Sequence, residues 1–202
     1  VRWFEEVGMN DVGSVGGKNA SLGEMFQNLA PQGIRIPNGF AITADAYFHL
    51  LQTNGLDKKI QNFLAGLNTQ NIESLREHGK KIRQYLLDAK IPDEVQREIV
   101  LAYQKLGNSS GAPMDVAVRS SATAEDLPDA SFAGQQETYL NVQGEQPLLD
   151  ACLRCFASLF TDRAISYRHD KGYDHMKIGL SIGVQQMVRS DVGGSGVMFS
   201  ID

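Results

Sequence analysis

Cysteine is nearly missing from this 202-residue chain, with Cys152 and Cys155 the whole complement. Their C-x-x-C spacing suits redox chemistry or half of a metal site, yet no second pair exists to complete a zinc centre. The pair lies in PLLDACLRCFASLF, where apolar residues recur at helical spacing, so the thiols read as packing residues of a buried helix. Basic excess is lacking too. With 19 Lys and Arg against 24 Asp and Glu the formal charge is -5. That excludes a general nucleic-acid or polyanion binder and requires any anion site to be local. No apolar run approaches bilayer length, and the N-terminal VRWFEEVGMNDVG has no signal-peptide core, so the expected setting is cytoplasmic, with no membrane partner. Repeats and low-complexity tracts are also absent. What is present is an ordinary globular composition, 42% hydrophobic, enough for one large core or two small ones.

Residues 1–107 read as mainly helical. After the glycine pair Gly16-Gly17, an apolar stripe of Ala20, Leu22, Met25, Phe26 and Leu29 predicts a helix, with Ser21 and Glu24 at capping-box spacing near its start and a stop before Pro31. IRIPNGFAIT predicts a short β passage, and Thr43 a helix cap for ADAYFHLLQTN. Further helices are predicted over 56–66, 71–88 and 92–106. NSSGAPM at 108–114 marks a change of pattern. Residues 115–202 then carry predicted strands at DVAVRSSA, ETYLNV (137–142), KIGLSIGVQQMV (177–188) and SGVMFSID. The cysteine helix and TDRAISYRHDKG fall between them, with Arg163, Tyr167 and Lys171 on one face. The fold class is α+β, with a sheet that leans antiparallel.

Two stretches concentrate chemistry. VGSVGGKNASLGEM puts adjacent glycines and Lys18 at a helix entry, where backbone amides, the helix dipole and an ammonium suit an anion. It fails the Walker pattern twice: Val12 stands where the first glycine belongs, and Asn19 where the magnesium-binding hydroxyl belongs. A plain helix entry with a solvated lysine fits this stretch equally well. The second stretch is AVRSSATAEDLPDASFAGQQETYLNV. Arg119 leaves a strand toward Ser120, Ser121 and Thr123, and a glycine turn at Gly134 leads into the strand holding Thr138. A hairpin of this kind folds over phosphates, with amides near Gly134 and the Thr138 hydroxyl as donors and Arg119 as a bidentate clamp. The competing reading is a surface hairpin whose arginine pairs with Glu125 or Asp126. Asp126 and Asp129 are assigned to loop ordering, and no residue is assigned to metal.

Five ordered blocks, GGKNASLGEM, IPNGFAIT, VRSSATAEDLPDASFAGQQETYLNV, ASLFTDRAISYR and VQQMVRSDVGGSGVMFSID, resemble the N-terminal nucleotide-binding region of the phosphoenolpyruvate synthase family. The wider group takes in pyruvate phosphate dikinase and rifampicin phosphotransferase. The resemblance covers nearly the whole chain, least distinctly over 55–113. It implies an ATP-grasp fold with ATP held between two α+β lobes, and implies that the chain stops inside that domain. Carried over by position, Lys18 and Arg119 resemble phosphate-contacting residues, Gly134 and Thr138 lie over the triphosphate, and Gln185 with Met187 and Val188 line the adenine side.

The reaction implied is conversion of pyruvate, ATP and water to phosphoenolpyruvate, AMP and phosphate through a phosphohistidine. Its carrier histidine, the magnesium ligands and the pyruvate domain are expected outside these residues. His49, His78, His169 and His175 lack the carrier context and read as surface or packing residues, so no catalytic residue is expected in the chain. ATP and AMP, Mg²⁺, and the phosphohistidine and pyruvate domains of a parent chain are the implied cofactors and partners. If SGVMFSID lies in a sheet whose later strands fall outside these residues, its unpaired apolar edge predicts self-association, so a homo-oligomer joins the expected partners. Two alternatives stay open: a relative with another phosphoryl acceptor, such as an antibiotic, and a free-standing nucleotide-binding module without catalysis.

Overall fold

The computed structural model describes residues 1–107, 114–123, 126–127, 130–131 and 137–197. Its order is β1 (Arg2–Trp3), α1 (Val12–Leu29), β2 (Gly39–Ile42), α2 (Ala44–Thr53), α3 (Leu56–Ala65), α4 (Ile72–Leu87), α5 (Asp93–Gly107) and β3 (Asp115–Ala122). There follow β4 (Asp126–Leu127), β5 (Ala130–Ser131), β6 (Thr138–Gln143), α6 (Glu145–Ser158), α7 (Asp162–Asp170) and β7 (Leu180–Gln186). The α+β class holds. Five strands form one sheet in the order β1-β2-β7-β3-β6, every pairing antiparallel, and β4 with β5 makes a small separate ladder.

Two of the sheet's strands come from the mainly helical N-terminal half, β1 being too short to announce itself in the sequence. Helix starts follow local chemistry. The Asn71 side chain accepts from the Glu73 and Ser74 amides at 2.9 and 3.1 Å, and Thr161 Oγ1 accepts from Ala164 N at 3.3 Å. Thr43 caps α2 by position, without a side-chain hydrogen bond.

Two expectations need correction. Helix α1 begins at Val12, so Ser21 and Glu24 lie in its middle and make no capping box; Glu24 accepts instead from the Met9 amide at 3.2 Å. The strand expected at SGVMFSID does not form over 195–197, and its remainder lies outside the described residues.

Alternation along the strands gives the sheet two unlike faces. Val116, Val118, Ala122, Leu180, Ile182, Val184, Phe40 and Ile42 enter one large core, closed by α2 to α7. Among the described residues the opposite face receives α1 and the turn before it, and its apolar cluster is small: Phe4, Val7, Val15, Ala20 and Ala41. Tyr103 of α5 ties the sheet's far side together, donating to Met114 O at 2.7 Å and accepting from Gly144 N at 2.8 Å. The β3–β6 register slips by one residue between Val116 and Val118, and Asn141 takes a φ of 55° there, the mark of a bulge.

Candidate functional site

Helix α1 reaches the sheet through its glycine pair. Gly16 has φ 74° and ψ 162°, a region open in practice to glycine alone, and kinks the helix there. A Cβ at Gly16 would lie 2.5 Å from the Ser121 carbonyl oxygen, so the close approach needs glycine as well. Past the kink the helix is pinned by polar contacts in a buried setting. The Asn19 amide donates to Ser121 Oγ at 3.4 Å, and Asn19 Nδ2 donates to Ser181 Oγ at 3.0 Å. Ser181 Oγ in turn donates to the Ile42 carbonyl at 2.7 Å. One asparagine thereby connects α1 to β3, β7 and, through Ser181, β2.

The register aligns the candidate residues on the α1 face. Ala41 pairs with Gly183, Gly183 with Arg119, and Arg119 with Thr138, so one row crosses β2, β7, β3 and β6. Paired residues share a face. The neighbouring row toward the α1 pins holds Ser121 opposite Ser181, and the row on the other side holds Ala117 opposite Gln185. Arg119 therefore stands between Thr138 and a glycine. A side chain at Gly183 would collide with Asn19 Oδ1, which occupies the space over it. Lys18 precedes Asn19 in α1 and is half-buried.

At the other end of the face, the Gln185 amide is oriented by a carbonyl. Nε2 donates to Pro37 O at 3.1 Å, and since a carbonyl only accepts, this fixes which amide atom faces the segment before β2. Met187 and Val188 follow β7. The Met187 amide donates to Asp115 O at 3.0 Å, and Val188 is 60% exposed, its carbonyl accepting from Ser190 N at 2.9 Å.

The structure thus brings Arg119, Thr138 and Gln185 onto one face with α1 and Lys18 seated against it, and puts Met187 and Val188 at the exit of the strand that carries Gln185. Gly134 lies outside the described residues, as do Glu125, Asp129 and the side chain of Asp126 with which Arg119 was an alternative pair. Sequence reasoning missed Asn19, Ser121 and Ser181. The one local hint was an asparagine directly after the lysine, where a phosphate loop would carry a hydroxyl.

Chemistry elsewhere is quiet. Burial pushes the Cys152 thiol up to about 12 and raises Cys155 as well, so both are unreactive packing groups. The histidines have local partners: His49 with Glu94, His78 with Ser74 and the Phe63 ring, His169 with Thr69, and His175 with Arg168. Among the described residues no group of three or more His, Cys, Asp and Glu is arranged to hold a metal. No helix among them is long and apolar enough to cross a membrane.

Comparison with known proteins adds a family. Residues 12–202 match the model described as pyruvate phosphate dikinase, AMP/ATP-binding domain. Over its full length the chain is similar to proteins named phosphoenolpyruvate synthase: 55% identical over 210 residues in Synechocystis sp., covering 25% of that protein, and 53% over 203 residues in Aquifex aeolicus, covering 24%. In Escherichia coli the figure is 53% over 202 residues, again covering all of this chain and 25% of the relative. The chain spans about a quarter of the length of the curated relatives it matches.

Proposed function

This chain belongs to the pyruvate phosphate dikinase AMP/ATP-binding domain family, and from that premise we propose that it is the ATP-binding part of a phosphoenolpyruvate synthase, with the α1 face of the sheet as the nucleotide site. The parent enzyme would convert pyruvate, ATP and water to phosphoenolpyruvate, AMP and phosphate. The observation that carries the site is the alignment of Arg119 and Thr138 in one row, with Gln185 one row away and α1 seated alongside.

In this reading the planar Arg119 fork grips phosphate oxygens bidentately, Lys18 adds a point charge from α1 just past its kink, and the Thr138 hydroxyl donates a further hydrogen bond. Gly134 belongs to the same phosphate end. Gln185 and the strand exit take the adenine end; with the Met187 amide already given to Asp115, a backbone contact to the base falls to Val188. The work of this region is to align the triphosphate and neutralise charge that develops as a phosphoryl group leaves.

An ATP-grasp arrangement, a cytoplasmic setting and self-association of this chain complete the proposal. Magnesium would add charge neutralisation at the phosphates, with its ligands assigned outside these residues. The phosphocarrier histidine and pyruvate site are likewise assigned to other parts of the parent enzyme. The relatives named above favour this reading over an antibiotic acceptor or a module without catalysis.

The test is calorimetric titration of ATP with Mg²⁺ into the wild-type protein and its Lys18→Ala and Arg119→Ala variants. Loss of a charge-assisted phosphate contact costs roughly 1.5–3 kcal/mol, about 10- to 100-fold in Kd, for each variant. Wild-type affinity in both variants sinks the site assignment.

A further inference from the structure

Lys18 sits on a helix whose start has no regular cap, since Asp11 makes no side-chain hydrogen bond to it and Gly16 breaks its geometry. Its placement depends on what fixes the residues around the kink. Those contacts converge on Asn19, which is 1% exposed and uses backbone and side chain together: the amide to Ser121, Nδ2 to Ser181, and Oδ1 in the space above Gly183. Ser121 and Ser181 are themselves paired across β3 and β7, and Gly183 lies in the row of Arg119.

We infer that Asn19 is a positioning residue for the nucleotide site: it sets the register of Lys18 against the Arg119 row, so that both cations address one triphosphate. The inference rests on the proposed nucleotide site. The demand on residue 19 is specific. Ser181 already donates its proton to Ile42, so its oxygen needs a donor from α1. An amide of asparagine length supplies that donor while its oxygen faces the glycine. Aspartate at this position has no proton to give and would bury a negative charge beside a phosphate site; alanine leaves Ser181 without its donor.

The experiment compares ATP and adenosine binding by the product of the complete reading frame that carries this chain, in wild type, Asn19→Ala, Lys18→Ala and the double variant. Positioning predicts that Asn19→Ala weakens ATP by about 10-fold while adenosine changes by less than about 2-fold, because only the phosphate contacts depend on Lys18. It also predicts that the Asn19→Ala effect on ATP nearly vanishes once Lys18 is alanine, since the two residues act through one contact.

Equal loss of ATP and adenosine, or an undiminished Asn19→Ala effect in the Lys18→Ala background, overturns the inference and leaves the site reading intact. An inert Lys18→Ala overturns the inference and removes Lys18 from the site, and a wild type that binds no ATP overturns the site reading and the inference with it. Should Asn19→Ala fold poorly, Ser181→Ala runs the same cycle: it removes the acceptor of the Asn19 side chain, is expected to weaken ATP by about 3-fold, and is judged by the same outcomes.

Discussion

The two faces of the sheet are built by different rules. One is closed by six helices over a continuous apolar core in which Phe156, Ile82, Leu86 and Cys152 are almost wholly removed from water. On the other, among the described residues, one kinked helix lies over five buried apolar residues and is fixed in place by Asn19, Ser121 and Ser181. Apolar packing is non-directional and gains free energy with area. Hydrogen bonds add little net stability but are strict about geometry. The first face accordingly serves as the anchor of the fold and the second as a template that holds charged groups at set positions. Substitutions on the first face should therefore change stability without changing affinity, and those on the second should change affinity.

The strongest way to break that comparison is Phe156→Ala. This ring is 1% exposed and packs at 5.4 Å from the Tyr47 ring. Its loss is expected to cost about 3–5 kcal/mol in urea denaturation, the usual range for emptying an aromatic site in a core. ATP affinity of the folded fraction should stay within about twofold of wild type, as for distant sites that share no partner. A parallel loss of affinity would show that the faces are coupled.

Gly16→Ala sharpens the comparison from the other side. A Cβ there meets the Ser121 carbonyl, and the backbone occupies a region that side chains avoid. Strain and overpacking together cost about 2–4 kcal/mol. Because the clash falls on the strand next to Arg119, ATP affinity should fall along with stability. Gly13→Ala serves as the control: an added Cβ meets nothing within 4 Å, and the helical position favours alanine by about 0.5–1 kcal/mol. Unchanged ATP affinity in a folded Gly16→Ala protein would dissociate the helix entry from the site.

The same division marks what could be read from the sequence. Helices α3, α4 and α5 and strands β3 and β6 fall within a residue or two of expectation, because each repeats a short-range pattern that burial against the large core demands. The start of α1 was not legible. Val-Gly-Ser-Val-Gly-Gly is a poor helix sequence, its Gly16 kink has no local signal, and the contact that fixes the chain just past it, the Asn19 amide to Ser121, spans more than a hundred residues. Candidate residues were legible one by one through resemblance. Their arrangement was not, since local sequence carries no sign that β7 lies between β2 and β3, or that Gly183 therefore separates Ala41 from Arg119. Strand order and buried polar links of long sequence separation are tertiary facts, and these make up the α1 face.

The smallest effect tests the claim that the core face is an apolar anchor, because one charge is buried in it. Arg168 is fully buried beside Tyr47, with Phe160 under its guanidinium at 5.3 Å; Nη1 and Nη2 make no hydrogen bond, and Nε donates to His175 Nδ1 at 2.9 Å. That bond requires a neutral His175 with its proton on Nε2. Burial, then the charges of Arg168 and His169, opposed by Asp174, push the imidazole down to about 4. In the unfolded chain the ring titrates near its ordinary value of about 6.5. Between these two values the unfolded state holds the extra proton, so stability is complete above pH ~6.5 and declines as pH falls toward ~4. With the ring partly open to solvent the loss should be about 1–2 kcal/mol. His175→Gln keeps an acceptor for Arg168 and cannot titrate. Urea midpoints at pH 7 and pH 4.5 should therefore separate for wild type by more than for the variant. Equal slopes would mean that the ring gains its proton without cost, and that the core face tolerates a second positive charge beside Arg168 as readily as water does.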